Sequence, residues 1–429
     1  MASSIIASST STPTKLDKIH ELFKVKRFNK IKERIDFIKI LLDGTELEPM
    51  IQLNYVDTET VESTNKNILK VMPKETMTFK DVINQIGGKL LYIKSGTTGH
   101  TFKGICYPDK DNPHICINYA VKIVAYPKKE NYGNVNDINR PENAELMMLK
   151  VLSYFVINNQ TPHIVLPMGT FNANIRMFVS LTKNNIIDSK KYEHFVKRYE
   201  DDEFHNIVSV LISEWADGGD LLDYLRASFT KLSVKEWRVI FFQILSVLAV
   251  IQAKYPSFRH NDMKANNILL QRIQLSSDDN GVYKYSINGT EYFIPNIGIQ
   301  IKLWDFDFAC IPGLIDNAKV YADWTNKINV NPDAHPYYDI HYFLNTLTSK
   351  NFLPNFFGLD SGGKSIVPKE VIDFIKRIVP DKLRSGSNVT ERGRLLLSYS
   401  DIQKMPEVKY TTPDDIIKND PFFKKMRPS

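Results

Sequence analysis

The chain has 429 residues, of which 43% are hydrophobic and 24% are charged. These fractions exclude collagen-like and wholly disordered chains, and the length allows two or three domains or one large two-lobed unit. Lysine and arginine total 55 against 49 acidic residues, and the excess is spread along the chain, so we expect no specific nucleic-acid partner. The three cysteines cannot build a disulfide framework, and no apolar run approaches the roughly 20 residues that span a membrane. We therefore expect a cytoplasmic location and no transmembrane segment.

The first part of the chain reads as an N-terminal extension over residues 1–85. Residues 1–14 are rich in serine and threonine and are predicted to be disordered, and the remainder is predicted to be largely helical. In residues 15–40, basic side chains alternate with apolar ones at near-helical spacing. Two interpretations stay open for that segment: an amphipathic helix packed on the main body, or contact with a membrane surface or an acidic partner.

The rest of the chain divides into a β-rich part over 86–214 and a helical part over 215–429. The runs KLLYIK, HTFKGICY and HICINYAVKIVAY predict three strands in a meander, followed by an amphipathic helix in ENAELMMLKVLSYFV. IVSVLISEW predicts a buried strand, and VKEWRVIFFQILSVLAVIQAKY a long buried helix. Turn residues and aromatic strand formers predict a hairpin insertion near 271–300. This order is typical of an α+β fold with a cleft between its two halves.

Two local patterns in the β-rich part have more than one interpretation. Gly96, Thr97, Thr98 and Gly99 form a turn between two predicted strands, where glycines let backbone N–H groups approach a phosphate; an ordinary hairpin turn would carry the same residues. Lys122 lies in the middle of a buried strand, where an ammonium group needs a partner. Glu145 on the following helix could supply it, and Glu142 competes for the same role.

The strongest pattern lies further along the chain. Residues 259–270 read RHNDMKANNILL, and residues 301–308 read IKLWDFDF. Phosphoryl transfer needs a carboxylate for the attacking hydroxyl, oxygen ligands for a metal, and a cation near the γ-phosphate. Asp262, Asn267, Asp305 and Lys264 provide that set.

At these residues the chain resembles the protein kinase superfamily, over about residues 90–345. The resemblance implies a two-lobed protein-kinase-like fold that uses ATP with Mg²⁺ or Mn²⁺. It implies that Asp262 is the catalytic base, that Lys264 neutralises the γ-phosphate, and that Lys122 and Glu145 form an ion pair that holds the phosphates. Asn267 and Asp305 would bind the metal. The nucleotide contacts that it implies are Gly96, Thr97, Thr98, Gly99, Ala120, Lys122, Glu214, Ala216 and Asp220.

The departures from the superfamily pattern narrow the resemblance. Asn261 stands where an arginine usually precedes the catalytic Asp, Asp307 replaces the glycine of D-F-G, and no A-P-E motif follows. With YYDIHYFL at 337–344, this combination is similar to the divergent virion-associated kinases of poxviruses and other large cytoplasmic DNA viruses. That resemblance implies a serine/threonine kinase acting on protein substrates, in the infected-cell cytoplasm or in virions. A pseudokinase scaffold and a small-molecule kinase of the choline or aminoglycoside type are the alternatives.

Overall fold

The structure is a computed structural model that describes residues 30–51, 74–106, 117–181, 189–275 and 281–428. The predicted disorder of 1–14, and the part of the basic segment that precedes residue 30, lie outside the described residues. Within them, no helix is long and apolar enough to cross a lipid bilayer.

A five-stranded antiparallel sheet dominates the N-terminal part. Its strand order is β1-β2-β3-β5-β4, so the first three strands form the predicted meander. The strands are β1 (Lys89–Ser95), β2 (Gly99–Cys106), β3 (Ile117–Pro127), β4 (Pro167–Asn174) and β5 (Phe204–Glu214).

Helices are interspersed in this part and dominate the C-terminal part, which confirms the predicted α+β two-lobed fold. The α-helices are α1 (Ile31–Leu42), α2 (Phe79–Ile86), α3 (Pro141–Ile157), α4 (Arg176–Val179), α5 (Ser189–Glu200), α6 (Leu221–Ser228), α7 (Val234–Lys254), α8 (Asp323–Asn326), α9 (Tyr338–Leu347), α10 (Lys369–Ile378), α11 (Tyr399–Lys404) and α12 (Pro413–Asn419).

Two small antiparallel pairs interrupt the helical part. Strands β6 (Ile268–Arg272) and β9 (Ile299–Leu303) flank the hairpin of β7 (Val282–Ile287) and β8 (Thr290–Pro295). The hairpin turns at Asn288-Gly289, and both residues have positive φ, 47° and 79°. Asn-Gly is the dipeptide that such a two-residue turn favours, because its twist matches that of the strands.

Helix α3 connects the sheet to the rest of the core. We expected an amphipathic helix, but 14 of its 17 residues are buried. The sheet strand β4 and the helices α1 and α7 all contact α3, and its three half-buried residues, Lys150, Tyr154 and Ile157, lie on one narrow stripe. Helix α7 is buried in the same way; a capping box of Ser233 and Glu236 fixes its start.

The described parts of the N-terminal extension pack against this body. In α1, the buried residues recur on one face and include Ile35, Phe37 and Ile38. Further along, the segment 75–77 pairs with the outer edge of β4: Met77 N donates to Asn172 O at 2.8 Å, and Asn172 N donates to Glu75 O at 2.8 Å. The extension therefore covers a sheet edge that would otherwise expose unpaired backbone groups.

Candidate active site

Lys122 lies at the centre of β3 and contacts two carboxylates. Its Nζ is 2.6 Å from Glu145 Oε1 and 3.2 Å from Asp305 Oδ1. Burial alone would lower the pKa of Lys122, but the two carboxylates outweigh it and raise that pKa above its ordinary value. The competing residue Glu142 pairs instead with Arg140, at 3.0 Å. Of the two glutamates, the structure thus brings Glu145 to Lys122.

Asp305 follows strand β9 and has a backbone φ of 62°, which residues other than glycine seldom adopt. Such backbone strain concentrates at functional sites. Burial opposes its ionisation, but Lys122 outweighs that effect and lowers the pKa of Asp305. The next residue, Phe306, is fully buried and packs on the ring of His260, with centroids 5.1 Å apart. The chain from Trp304 to Phe306 is therefore joined to the loop that carries Asp262.

A buried carboxylate binds the backbone of that loop, residues 259–267. Asp339, in the first turn of α9, accepts hydrogen bonds from His260 N at 2.8 Å and Asn261 N at 2.9 Å. The His260 ring bonds Trp304 O through Nε2 at 3.0 Å. Asn261 has a φ of 62°, which asparagine tolerates better than most residues. The structure thus fixes the backbone on both sides of Asp262.

Among the described residues, three side chains donate to the carboxylate of Asp262. Asn267 Nδ2 at 2.9 Å and Lys264 Nζ at 3.0 Å both contact Oδ2, so three of the predicted site residues meet here. The third donor is Arg394, whose Nη2 contacts Oδ1. Sequence reasoning missed Arg394, because it lies 132 positions beyond Asp262 in a segment without a motif.

Glu214, one of the nucleotide contacts that the resemblance implies, is the last residue of β5. Its side chain is bound by Arg34 of α1, with Nη2 2.6 Å from Oε2, and accepts Leu166 N at 2.8 Å. Burial opposes ionisation, but the Arg34 guanidinium lowers the pKa of Glu214 below its ordinary value. Sequence reasoning also missed Arg34 as a site residue; it appeared only as one of the basic residues of a helix.

The predicted nucleotide contacts Ala120, Ala216 and Asp220 lie on β3 and in the segment that joins β5 to α6. Ala120 on β3 is the register partner of Ser213 on β5, directly before Glu214. Ala216 is buried, and Asp220 caps helix α6 by accepting Asp223 N at 2.9 Å.

The glycine-containing turn joins β1 to β2, and hydrogen bonds to β3 and α5 hold it in place. Gly96 N donates to Gly99 O at 2.7 Å, and Arg198 of α5 donates to Thr97 O at 2.8 Å. A Cβ at Gly99 would lie 1.8 Å from Ile123 O, so only glycine fits there. Thr98 O accepts Ala125 N at 2.7 Å, which anchors the turn to the strand that carries Lys122.

The donor set suits a divalent metal held jointly with phosphates. Asp305 offers a carboxylate, and Asn267 can offer its amide oxygen because its nitrogen is engaged with Asp262; these oxygen ligands are what Mg²⁺ prefers. In the described ranges, no three His, Cys, Asp or Glu side chains converge as a self-sufficient metal site.

Comparison with known proteins agrees with this geometry. The family model of the poxvirus serine/threonine protein kinases matches residues 134–355, a range that includes Glu145, Asp262, Asn267 and Asp305. A protein of Acanthamoeba polyphaga mimivirus named "Putative serine/threonine-protein kinase" is 46% identical over 401 residues, which cover 92% of this chain and 80% of that relative. The chain belongs to the poxvirus serine/threonine protein kinase family. A second mimivirus protein with the same description is 28% identical to this kinase over 259 residues, 51% of the kinase and 62% of the relative.

Membership in this family confirms the predicted protein kinase and its similarity to kinases of large DNA viruses. The family match begins at residue 134, after the glycine-containing turn and Lys122. The family model therefore does not include those residues. The mimivirus relative with 46% identity matches 92% of the chain, which is a longer range than the family model matches.

Proposed function

We propose that this kinase transfers the γ-phosphoryl group of ATP, with Mg²⁺ or Mn²⁺, to serine or threonine hydroxyls of protein substrates. The observation that carries the proposal is the chain of ion pairs from Glu145 through Lys122 to Asp305. It places one ammonium group between a carboxylate of the helix α3 and a carboxylate next to the 259–267 loop. A cation held in this way can bind phosphate oxygens while its position is fixed from two sides.

Asp262 is the residue that we assign to the acceptor hydroxyl. Its carboxylate would accept the hydroxyl hydrogen bond and orient the oxygen towards the γ-phosphorus. It would receive the proton as the new P–O bond forms, while the bond from the γ-phosphorus to the bridging oxygen breaks and ADP leaves with that oxygen. Lys264, 3.0 Å from Asp262, would carry positive charge to the phosphoryl oxygens. Transfer moves charge onto those oxygens, so cations placed beforehand stabilise the transition state.

The nucleotide would lie along the cleft between the β-rich and helical parts. Backbone groups of Glu214 and Ala216 are assigned to adenine, Asp220 to ribose, and the turn 96–99 to the phosphates. Asn267 and Asp305 would hold the metal, which when bound neutralises phosphate charge. Lys264 beside Asp262 favours serine or threonine as acceptor, as the resemblance implies.

Two alternatives make different predictions for the same protein. A scaffold would bind nucleotide or partners without transfer, and Asp307 in place of a glycine motivates that alternative. A small-molecule kinase would label an alcohol rather than a protein. The family match favours protein substrates over both.

A transfer assay with the purified full chain tests the proposal. Radiolabelled ATP with Mg²⁺ or Mn²⁺ is offered together with casein and myelin basic protein, and the labelled residues are identified. We expect phosphoserine or phosphothreonine, and a loss of about 10²–10⁴-fold in Asp262→Ala because the positioned base is removed. Asp201→Ala removes an exposed aspartate at the end of α5 and serves as the matched control.

The outcomes separate the three functions. Wild-type turnover in Asp262→Ala, with the control unchanged, would contradict the assignment of the base. ATP that raises the melting temperature without labelling any protein would favour the scaffold. Label on a small alcohol alone would favour the third function.

A further inference from the structure

Arg394 is a buried arginine that reaches the 259–267 loop from the C-terminal part of the chain. It is 5% exposed, and its guanidinium lies 4.3 Å from the centroid of the Tyr342 ring. Nη1 donates to the backbone oxygen of Asn261, and Nη2 donates to Oδ1 of Asp262. One planar group therefore binds the backbone before Asp262 and the carboxylate of Asp262 together, a geometry that suits the fixed fork of arginine.

The backbone of Arg394 is itself fixed. Arg394 N donates to Thr390 Oγ1 at 3.0 Å, and Thr390 N donates to Arg394 O at 2.8 Å. The intervening Gly393 has a φ of 80°, the left-handed conformation that closes this turn. The guanidinium thus starts from a rigid position rather than from a freely moving loop.

The donors around Asp262 are divided between its two oxygens. Lys264 and Asn267 contact Oδ2, and Arg394 contacts Oδ1. Donors on both oxygens set the rotation of the carboxylate about its Cβ–Cγ bond, which donors on Oδ2 alone would leave less defined. A hydroxyl that must be aligned for in-line attack is sensitive to that rotation.

We propose that Arg394 is a positioning residue for phosphoryl transfer, which fixes the carboxylate of Asp262 and the backbone of Asn261 in the orientation that the acceptor hydroxyl needs. The proposal rests on the proposed function, because it takes Asp262 as the base. It assigns Arg394 no contact with ATP or with the substrate. A loss of Arg394 should therefore act on the rate of the transfer step and spare the binding of both reactants.

The expected effect of Arg394→Gln is a fall in kcat of about 10–100-fold, while the KM values for ATP and for the protein substrate stay within about threefold. Arg394→Lys keeps the charge but cannot bind Asn261 O and Asp262 Oδ1 together, so we expect an intermediate kcat. Arg392→Gln, two residues away and exposed, is the matched control and should behave as wild type.

Rescue by a small cation separates positioning from general damage to the fold. Arg394→Ala should regain kcat when guanidinium chloride is added at tens of millimolar, since guanidinium can enter the space left beside Asp262. Equal concentrations of sodium chloride should restore nothing. If Arg394→Ala does not fold, the kcat and KM values of Arg394→Lys still test the positioning role. Lysine keeps the charge and most of the volume of arginine, so we expect this variant to fold.

Three results would overturn the proposal. One is wild-type kcat in Arg394→Gln; a second is a rise in kcat, which would make the contact inhibitory. The third is a loss of activity that matches the loss of folded protein and that guanidinium does not restore. That result would make Arg394 structural only. Asp262→Ala is assayed alongside: if it keeps full turnover, the proposed function fails; if it is inactive while Arg394→Gln keeps the wild-type kcat, only this inference fails.

Discussion

Asp307 shows how a single residue changes the segment that follows Asp305. The family resemblance expects a glycine at this position, and the structure places there a carboxylate that forms an ion pair with Lys319. Burial opposes protonation of Lys319, but Asp307 outweighs it and raises the pKa of Lys319. Asn317 Nδ2 donates to Asp307 O at 2.9 Å, and Lys319 lies 4.4 Å from the ring of Phe308. These contacts close the chain from 307 to 319 into a braced loop.

We expect the Asp307–Lys319 pair to contribute about 1 kcal/mol to the free energy of unfolding. The Asp307 side chain is 37% exposed, so water screens part of the attraction. A double-mutant cycle with Asp307→Asn, Lys319→Met and the double variant, followed by urea unfolding, measures the coupling. Additive effects of the two single variants would show that the pair contributes nothing.

At this scale, the sequence predicts residues that belong to contiguous motifs. Asp262, Lys264 and Asn267 share one short loop, and the structure brings all three to one carboxylate. Arg34 and Arg394 could not be predicted, because each enters the site from a distant element and its role depends on tertiary contacts.

At the scale of elements, helix α1 is part of the predicted nucleotide site rather than an appendage. Arg34 on α1 binds the side chain of Glu214 and donates to the backbone oxygens of Pro162 and Ile164, at 2.8 and 2.7 Å. A helix from the N-terminal extension thus ties the end of β5 to the segment that leads into β4. The spacing of its apolar residues predicts that such a helix has a buried face, but that spacing does not identify the elements against which the face packs.

Removal of Arg34 should destabilise the protein and weaken nucleotide binding. The Arg34 and Glu214 side chains are only 6% and 14% exposed, and breaking a buried pair typically costs about 3–5 kcal/mol. We expect a loss of that order in Arg34→Met, measured by urea unfolding, and weaker binding of a non-hydrolysable ATP analogue, since the end of β5 loses its brace. Lys32→Met, exposed on the same helix, should change neither.

The double variant Arg34→Met with Glu214→Gln provides the check. Replacing the orphaned carboxylate by a neutral amide should recover part of the stability. If Arg34→Met alone unfolds at the same urea concentration as the wild type, the ion pair is not a brace of this segment.

Helix α5 marks the limit of pattern-based prediction for elements. The segment 189–200 was not predicted as a helix, because its apolar residues are few among charged ones. Its buried Phe195 packs on His100, with ring centroids 4.5 Å apart, and Arg198 binds the turn that carries Thr97. A polar helix whose few apolar contacts reach a functional turn is recognisable only once the fold has placed it.

For the whole molecule, the buried apolar side chains of the described residues form one large core that extends from Ile35 to Met426, beside a small separate cluster of Cys310, Val320 and Val330. The fold class follows from the sequence, because strand-like and helical patterns occupy different parts of the chain. The continuity of the core cannot be predicted from the sequence, because the contacts between the N-terminal extension, α3 and α7 join residues that are far apart in the chain. Besides His260 in the 259–267 loop, four histidines are buried in the described residues: His100, His163, His335 and His341.

These histidines make the stability of the whole molecule depend on pH. Burial lowers the pKa to about 3 in His163 and His335, and to about 4 in His100 and His341. Each is neutral when folded but binds a proton below about pH 6.5 when unfolded, so the unfolded state binds more protons. The contribution of these histidines to stability is therefore fully present above pH 6.5 and is lost as the pH is lowered towards 4. At pH 5.5, each histidine should cost about 1.4 kcal/mol.

Replacing one of these histidines should flatten the pH dependence. His163 bonds Ile301 O through Nδ1 and Tyr285 Oη through Nε2, both at 3.0 Å, and glutamine can take up part of this role without titrating. We expect His163→Gln to lose about 1.4 kcal/mol less than the wild type between pH 7.5 and 5.5, measured by urea unfolding at each pH. His194→Gln, at an exposed site on α5, should keep the wild-type slope. Parallel curves for His163→Gln and the wild type would mean that His163 binds a proton in the folded protein, and that burial does not hold it neutral.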